Sequence, residues 1–506
     1  MKRLGISILI PLILIGCKVG PDYERPPVDT PAVHRSEPLN ALSPGSLANL
    51  PWWELFRDEQ LQNLIEAALD ENKDLRLAAA RVDEARAQLG VSRSALGPQV
   101  GGTASARQER ISGVQFPGAE GSDLEVTAYT TNIDVSYEVD VWGRLRRGTE
   151  AAQAELLATE EARRAVVMGL VSKVAQAYFE LRALDLELEI AKRTLQSREE
   201  SFKLVSLRHE AGIASDLDLR RAEGEMSTTA AVIPNLERQI GLKENALRIL
   251  LGRNPGSIKR GNSLSDQTFP MDVPDGLPSD LLEQRPDIRQ AEQALVAANA
   301  NIGVAKAAYF PRIILTGSRG QQSSDLNNLF VGPNRTWGFG PAVSVPIFDA
   351  GKRRSNLEAT EARQQQALIQ YEQAIQQAFR EVDDALIGQT KTKEIRIHQE
   401  NRITATKESL RLAQLRYDKG FSEYLDVLDA QRQLFRAEIE LVTTQQDQLV
   451  ALVQLYKALG GGWDEQQGPE SSPIQGRFFS PAEGERTKFS QRWDRNIPVS
   501  FLHTIQ

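Results

Sequence analysis

Two hydrophobic periods alternate along the chain, and each occurs twice. The helical period comes first: residues 59–96 carry apolar positions at helical spacing, and Pro98 stops the run. No proline falls between Gly118 and Ile233, nor between Ile347 and Gly468. Inside those spans, 144–211 and 352–419 are rich in Ala, Glu, Gln, Arg and Leu. They predict two helices, each about 100 Å long at about 1.5 Å per residue, a length no globular core requires. Each reaches a glycine, Gly212 or Gly420, turns, and returns as a second helix over 216–251 or 423–459. In the latter, Leu428, Phe435, Val442, Leu449 and Tyr456 fall seven apart and form a coiled-coil seam. The neighbouring seam (Leu425, Arg432, Ile439, Gln446, Val453) is interrupted by polar residues, which leaves that flank wet.

A period of two appears between the shorter and the longer helix of each half. Ile133, Val135, Tyr137 and Val139 alternate with Asn132, Asp134, Ser136, Glu138 and Asp140. Trp337, Phe339, Val343, Val345 and Ile347 alternate with mostly small residues. These predict strands over about 129–140 and 335–348, with partners over about 99–111 and 312–322 that alternate less cleanly. About ten residues is the length of a tilted transmembrane strand, and apolar-out, polar-in alternation fits a barrel with lipid outside and water inside. A soluble sheet packed on a core shows the same alternation. Four strands cannot close a barrel, and lipid cannot satisfy the edges. Two copies would supply about eight strands, a barrel filled by side chains, and three about twelve, enough to leave a pore. A conduit therefore favours a homotrimer.

The two halves are copies. Glu71 onward aligns with Gln284 onward, pairing Asp74 with Asp287, Arg76 with Arg289, Gly90 with Gly303 and Pro98 with Pro311, each 213 residues apart. WGRLRR (142–147) matches AGKRR (350–354) at 208, AQAYFEL (175–181) resembles QQAFREV (376–382) at 201, and LRHEAGIASDLDL (207–219) matches LRYDKGFSEYLDV (415–427) at 208. The shift of seven is one heptad, which keeps the helix face in phase. The expected organisation is a leader (1–16), an N-terminal segment (17–58), a first repeat (59–252), a linker (253–283), a second repeat (284–462) and an extension (463–506). The last is polar with four prolines and is expected to be largely disordered.

Composition narrows the class. With 41% hydrophobic but only 6% aromatic residues, the chain is composed as a long-helix protein. The formal charge is −8, and removing a leader that carries Lys2 and Arg3 takes it to −10. An acidic chain argues against a nucleic-acid partner. The four histidines, at 34, 209, 398 and 503, are scattered, and no HExxH, CxxC, Walker or GxSxG pattern occurs, so no catalytic or metal site is expected. Four methionines give no support for a metal-specific role.

The lone cysteine has a different logic. LIPLILIGCKVG (9–20) puts Cys17 behind an apolar run too short to span a bilayer, with Lys2 and Arg3 before it. Leu14-Ile15-Gly16-Cys17 resembles the bacterial lipobox. That resemblance implies cleavage before Cys17 and a covalent S-diacylglycerol and N-acyl lipid there, with no other cofactor. Lys18 after it favours the outer membrane, and several acyl chains give a stable anchor.

CKVGPDYERP (17–26), PWWELFRDEQL (51–61), YEVDVWGRLRR (137–147), VPIFDAGKRR (345–354) and LRYDKG…YLDVLDAQR (415–432) resemble the OprM-type outer-membrane efflux lipoproteins of the TolC superfamily. The resemblance implies a fold that is mainly α with a transmembrane β part. It implies a homotrimer sharing a 12-stranded β-barrel and a long periplasmic α-helical barrel, with an equatorial region near 40–58, 253–283 and after 460. It also implies a passive exit duct of a tripartite pump, partnered by a periplasmic adaptor and an inner-membrane transporter of the RND type, in a Gram-negative outer membrane. On this reading Asp426 and Asp429 ring the periplasmic gate, where clustered carboxylates favour cations, and Tyr417 helps to hold the coils together. His209 is the first-half counterpart of Tyr417, and Ser422 stands where some members carry a linking arginine. Gly212, Ile213, Gly420 and Phe421 form the adaptor-contacting tips. Arg144, Arg146, Arg147, Lys352, Arg353 and Arg354 follow strands, where they are candidates to mark the membrane boundary. Two other readings use the same features: a duct for type I protein secretion, and a lipid-anchored coiled-coil protein with no pore.

Overall fold

The computed structural model describes residues 18–28, 55–112, 123–267 and 284–461. The expectations for 1–16, for Cys17 and for 463–506 lie outside the described residues, as do parts of both linkers.

The first repeat opens with α1 (Glu59–Glu71) and α2 (Lys73–Ser94), where one helix over 59–96 was expected. The break is at Asn72, whose backbone leaves the helical region at ψ 134 and whose side chain accepts from the Leu75 amide at 2.9 Å. Next come β1 (Gln99–Ser112), β2 (Asp123–Val139), the long helix α3 (Arg144–Glu210) and its return α4 (Asp216–Leu250). The helix α4 continues through Pro234. The second repeat follows with α5 (Pro286–Ala307), β3 (Arg312–Ser323), β4 (Arg335–Ser344), long helix α6 (Lys352–Asp418) and return helix α7 (Tyr424–Ala458). Both long helices have 67 residues, so the one-heptad shift read inside them is made up before their ends.

The four strands form one antiparallel sheet in the order β1-β2-β3-β4, with β1 and β4 as its edges. Two strand expectations are corrected. β2 starts earlier than 129 because Asp123 to Ala128 is carried by the ladder with β1, which needs no alternation of its own. β4 ends at Ser344 rather than 348, since Pro346 has no N–H to continue a ladder.

The packed core lies midway along the helices rather than at the sheet. Phe56 meets the Phe179 and Tyr456 rings edge-on, with centroids 6.2 and 6.4 Å apart, and Leu55, Leu247 and Leu251 close around them. Each such side chain contributes about 1.5–3 kcal/mol through burial. Asp58 organises the surrounding loops from a fully enclosed position: it caps α1 through the Gln60 amide at 2.9 Å and accepts from Tyr178 Oη at 2.8 Å, the Asn262 amide at 3.0 Å and Gln267 at 2.8 Å. The predicted seam of α7 is buried at Leu428, Val442, Leu449 and Tyr456. Among the described residues no helix is long and apolar enough to cross a membrane.

Candidate functional site: a two-faced sheet, a polar conduit and hairpin tips

Strand register sorts the side chains of the sheet onto two faces. One face pairs Val100 with Val135, Val135 with Gly317 and Gly317 with Phe339, and carries Ile133, Tyr137, Leu315, Trp337 and Val343. Trp337 and Phe339 are 75% and 82% exposed and stack on each other at 5.9 Å. The opposite face pairs Thr103 with Asn132 and Asn132 with Gly320, and carries Asp134, Ser136, Glu138, Thr316 and Ser318. Thr103 donates to Asp134 at 3.2 Å across it. An apolar face left this bare in a single chain requires lipid or another apolar phase.

The polar face continues into the helices. Glu138, at the end of β2, binds Arg144 of α3 at 2.8 Å and Arg312 of β3 at 2.7 Å. Those two arginines then line a concave space of about 1190 Å³ together with Arg81, Glu84, Gln88 and Glu155. α2, α3, α5 and α6 all contribute to its wall, and Arg144 and Arg312 join that wall to Glu138 on the polar sheet face.

The strand-to-helix junctions use the same device twice. Gly143 and Gly351 take φ values of +75° and +88°, open to glycine at little cost, and turn the chain. Asp140 then accepts from the Leu145 and Arg146 amides at 3.1 and 2.9 Å, and Asp349 accepts from Gly351 and Arg353 at 3.2 Å each. A carboxylate so placed satisfies free N–H groups and complements the helix dipole. Of the basic residues at these junctions, Arg146 and Arg353 pair with Asp140 and Asp349, and Arg147 is wholly buried. Arg147 instead clamps the strap 18–28, donating to Asp22 at 2.8 Å and to the Gly20 carbonyl at 3.2 Å. Gly20 sits so close to Gly303 that a Cβ on it would come 2.5 Å from the Gly303 Cα.

At the far end of the helices both hairpins turn through glycine. Gly212 and Gly420 have φ of +73° and +74°, and the next amides, of Ile213 and Phe421, return to the Arg208 and Arg416 carbonyls at 2.8 and 2.9 Å. Ile213 and Phe421 are 77% and 76% exposed, so each tip presents a bare apolar side chain. Asp426 and Asp429 lie one turn apart on the exposed side of α7, with Gln433 donating to Asp429 at 2.5 Å. Tyr417 is held between the Tyr424 ring, 5.4 Å away, and the Arg208 guanidinium, 4.6 Å from its centroid. Burial, helped by Tyr417, pushes the Tyr424 phenol up to about 12. At the aligned first-half positions Asp218 and Arg221 approach to 3.7 Å, and His209 lies 3.9 Å from Asp216, so the two tips differ chemically.

Sequence reasoning missed the ties between the two hairpins. Arg193 reaches Glu438 at 2.9 Å, Arg208 reaches Asp418 at 3.3 Å, and Arg432 binds Glu225. Glu225 also holds Arg198 at 2.9 Å; burial lowers that guanidinium's pKa, and Glu225 opposes the shift. Arg432 was visible as a polar break in an apolar seam, but its partner sits 207 residues away and no spacing points to it.

Comparison with known proteins matches this geometry. The family model described as "Outer membrane efflux protein" matches residues 64–253 and 277–461. The chain is 40% identical over 481 residues to the solvent efflux pump outer membrane protein SrpC of Pseudomonas putida, covering 92% of this chain and 100% of SrpC. It is 38% identical over 464 residues to the cation efflux system protein CusC of Escherichia coli O6:H1, covering 91% of this chain and 99% of CusC. The open state of the Neisseria gonorrhoeae MtrE outer membrane channel superposes with a TM-score of 0.80 at 35% identity, covering 88% of this chain and 98% of MtrE. The chain belongs to the outer membrane efflux protein family, whose members are channels of the outer membrane rather than enzymes.

Proposed function

We propose that three copies close into a 12-stranded barrel and serve as the passive exit duct of a tripartite pump for small molecules. The observation that carries this reading is the two-faced sheet: a polar face joined through Glu138, Arg144 and Arg312 to the concave wall around Arg81 and Glu84, opposite a face clad in Trp337, Phe339 and Ile133. Water on one side and lipid on the other is what a barrel wall needs, and the open edges β1 and β4 call for neighbouring copies.

The remaining roles follow from position. The tips at Gly212, Ile213, Gly420 and Phe421 meet a periplasmic adaptor through their bare apolar side chains. An inner-membrane transporter of the RND type supplies the energy. Asp426, Asp429 and Tyr417 govern the periplasmic opening, with acidic side chains favouring cations. Cys17 carries the lipid, a reading supported by its neighbour Lys18, which packs beside Gly143 just after β2. Relatives named for cation and for solvent efflux share this fold, so the transporter rather than the duct selects the cargo. The secretion-duct reading has no observation in its favour.

Expression in a Gram-negative host lacking its own exit duct, alongside a cognate adaptor and transporter, tests the proposal. Restored resistance to solvents or drugs is expected; resistance unchanged with all three proteins present at normal levels would reject it.

A further inference from the structure

On the lipid-side face the strand register leaves only two charged side chains between Tyr129 and Val139 of β2 and along the paired lengths of β3 and β4: Arg319 and Arg335. Every acid of that stretch, Asp134 and Glu138, is on the polar face with Arg312. Arg319 pairs with Trp337, and Arg335 pairs with Gln321, so the two arginines are diagonal neighbours on adjacent strands. Diagonal neighbours stand about 7–8 Å apart, close enough for one anion to bridge two long side chains. Neither has an ion-pair partner among the described residues, although most of the described arginines do.

Their height is informative. The helices leave the sheet at the Val139, Arg312 and Ser344 end; Arg335 opens β4 and Arg319 lies four residues before the end of β3, so both are in the outer half of that hairpin, with β1 and β2 extending further outward. They flank Trp337, an aromatic of the kind that marks a membrane interface. An outward arginine costs about 2–4 kcal/mol at the bilayer midplane but almost nothing at the headgroups, so this pair belongs at headgroup level. Two like charges side by side there repel unless an anion lies between them, and guanidinium forks fit phosphate oxygens.

We propose that Arg319 and Arg335 form a binding site for the phosphate of an outer-leaflet phosphorylated glycolipid of the lipid A type. This rests on the reading that the sheet crosses the membrane, which channel conductance tests independently. Trimerisation places three such sites around the barrel. Each guanidinium–phosphate contact is expected to change retention by about tenfold.

Purified full-length protein, reconstituted and challenged with bis-phosphorylated or enzymatically dephosphorylated lipid A, is read by native mass spectrometry. Wild type is expected to retain the phosphorylated form at least tenfold better. Arg319→Gln with Arg335→Gln should abolish that preference, Arg319→Lys should keep part of it, and Arg107→Gln on the polar face should leave it intact. Equal retention of both lipids by wild type overturns the proposal, and that arm needs no variant to fold. Displacement of the lipid by inorganic phosphate at low millimolar concentration also overturns it, because the site would then be for a free anion. A wild type that conducts but shows no lipid preference defeats this site while leaving the duct standing.

Discussion

The Arg285 guanidinium donates to the Ala458 carbonyl at 3.0 Å, fastening the start of the second repeat to the end of its return helix. Asn72, one repeat earlier, does the same to the Leu250 carbonyl at 2.8 Å. The duplicated chain thus solves one problem twice, with a neutral amide in one half and a buried cation in the other. Arg285 is compensated by Asp287 and Glu381, at 2.6 and 2.8 Å. Replacing it with methionine takes the cation from two partly solvated carboxylates, Asp287 and Glu381, and frees a helix-end carbonyl, a loss of about 1–3 kcal/mol. A fall in the thermal midpoint of the helical circular-dichroism signal measures it.

That same contact carries a pH signature. Burial raises the Glu381 carboxyl, but hydrogen bonds from Gln377 and Arg285 outweigh it and hold the group below the ordinary glutamate range. A depressed folded value contributes stability above the unfolded pKa, about 4.3, and loses it as pH falls through the folded value. The stability gap between wild type and Arg285→Met is therefore expected to narrow on acidification from about pH 6 to 3. A gap that stays constant would show that the carboxylate does not carry it.

Asp426→Asn with Asp429→Asn should bring the cation-to-anion permeability ratio toward unity, read as the reversal potential in a salt gradient. Both side chains are exposed on α7, so helix packing is not expected to suffer. An unchanged reversal potential removes them from the gate.

Loosening the ties between hairpins should widen the periplasmic end. Arg432→Gln deletes its bond to Glu225 while Arg198 continues to neutralise that carboxylate. An increase in single-channel conductance of about twofold or more is expected, on the order of the half kilocalorie typical of an exposed pair.

Gly20→Ala tests the strap. The added Cβ meets the Gly303 backbone and must also adopt a φ of +105°, so the strap is expected to lift from Arg147. Cleavage after Glu24 by a glutamate-specific protease should accelerate while helix content holds. Cys17→Ala, by contrast, should abolish palmitate labelling yet leave the trimer, because strand pairing rather than the lipid drives assembly.

The repeat, the long helices and the two-faced strands were legible because each rests on a local period. The glycine turns at Gly212 and Gly420 were legible for the same reason, their position between two helical patterns. What escaped was non-local or masked by good helix formers. Asn72 breaks a run whose neighbours all favour helix, and only its hydrogen bonds to Leu75 and Leu250 make the break worthwhile. Asp58, Arg147 and Arg285 stand in no local pattern that signals burial, yet each is buried and bonded to distant segments. The Asp-then-Gly spacing before each basic helix start, at Asp140 and Asp349, was a usable signal for the caps.

Current through the purified full-length protein in a planar bilayer is the most direct test of a water-filled trimeric duct. Discrete, uniform steps are expected from wild type, larger in Arg432→Gln and cation-selective. A protein that inserts, stays trimeric and passes no current in either form would contradict the conduit.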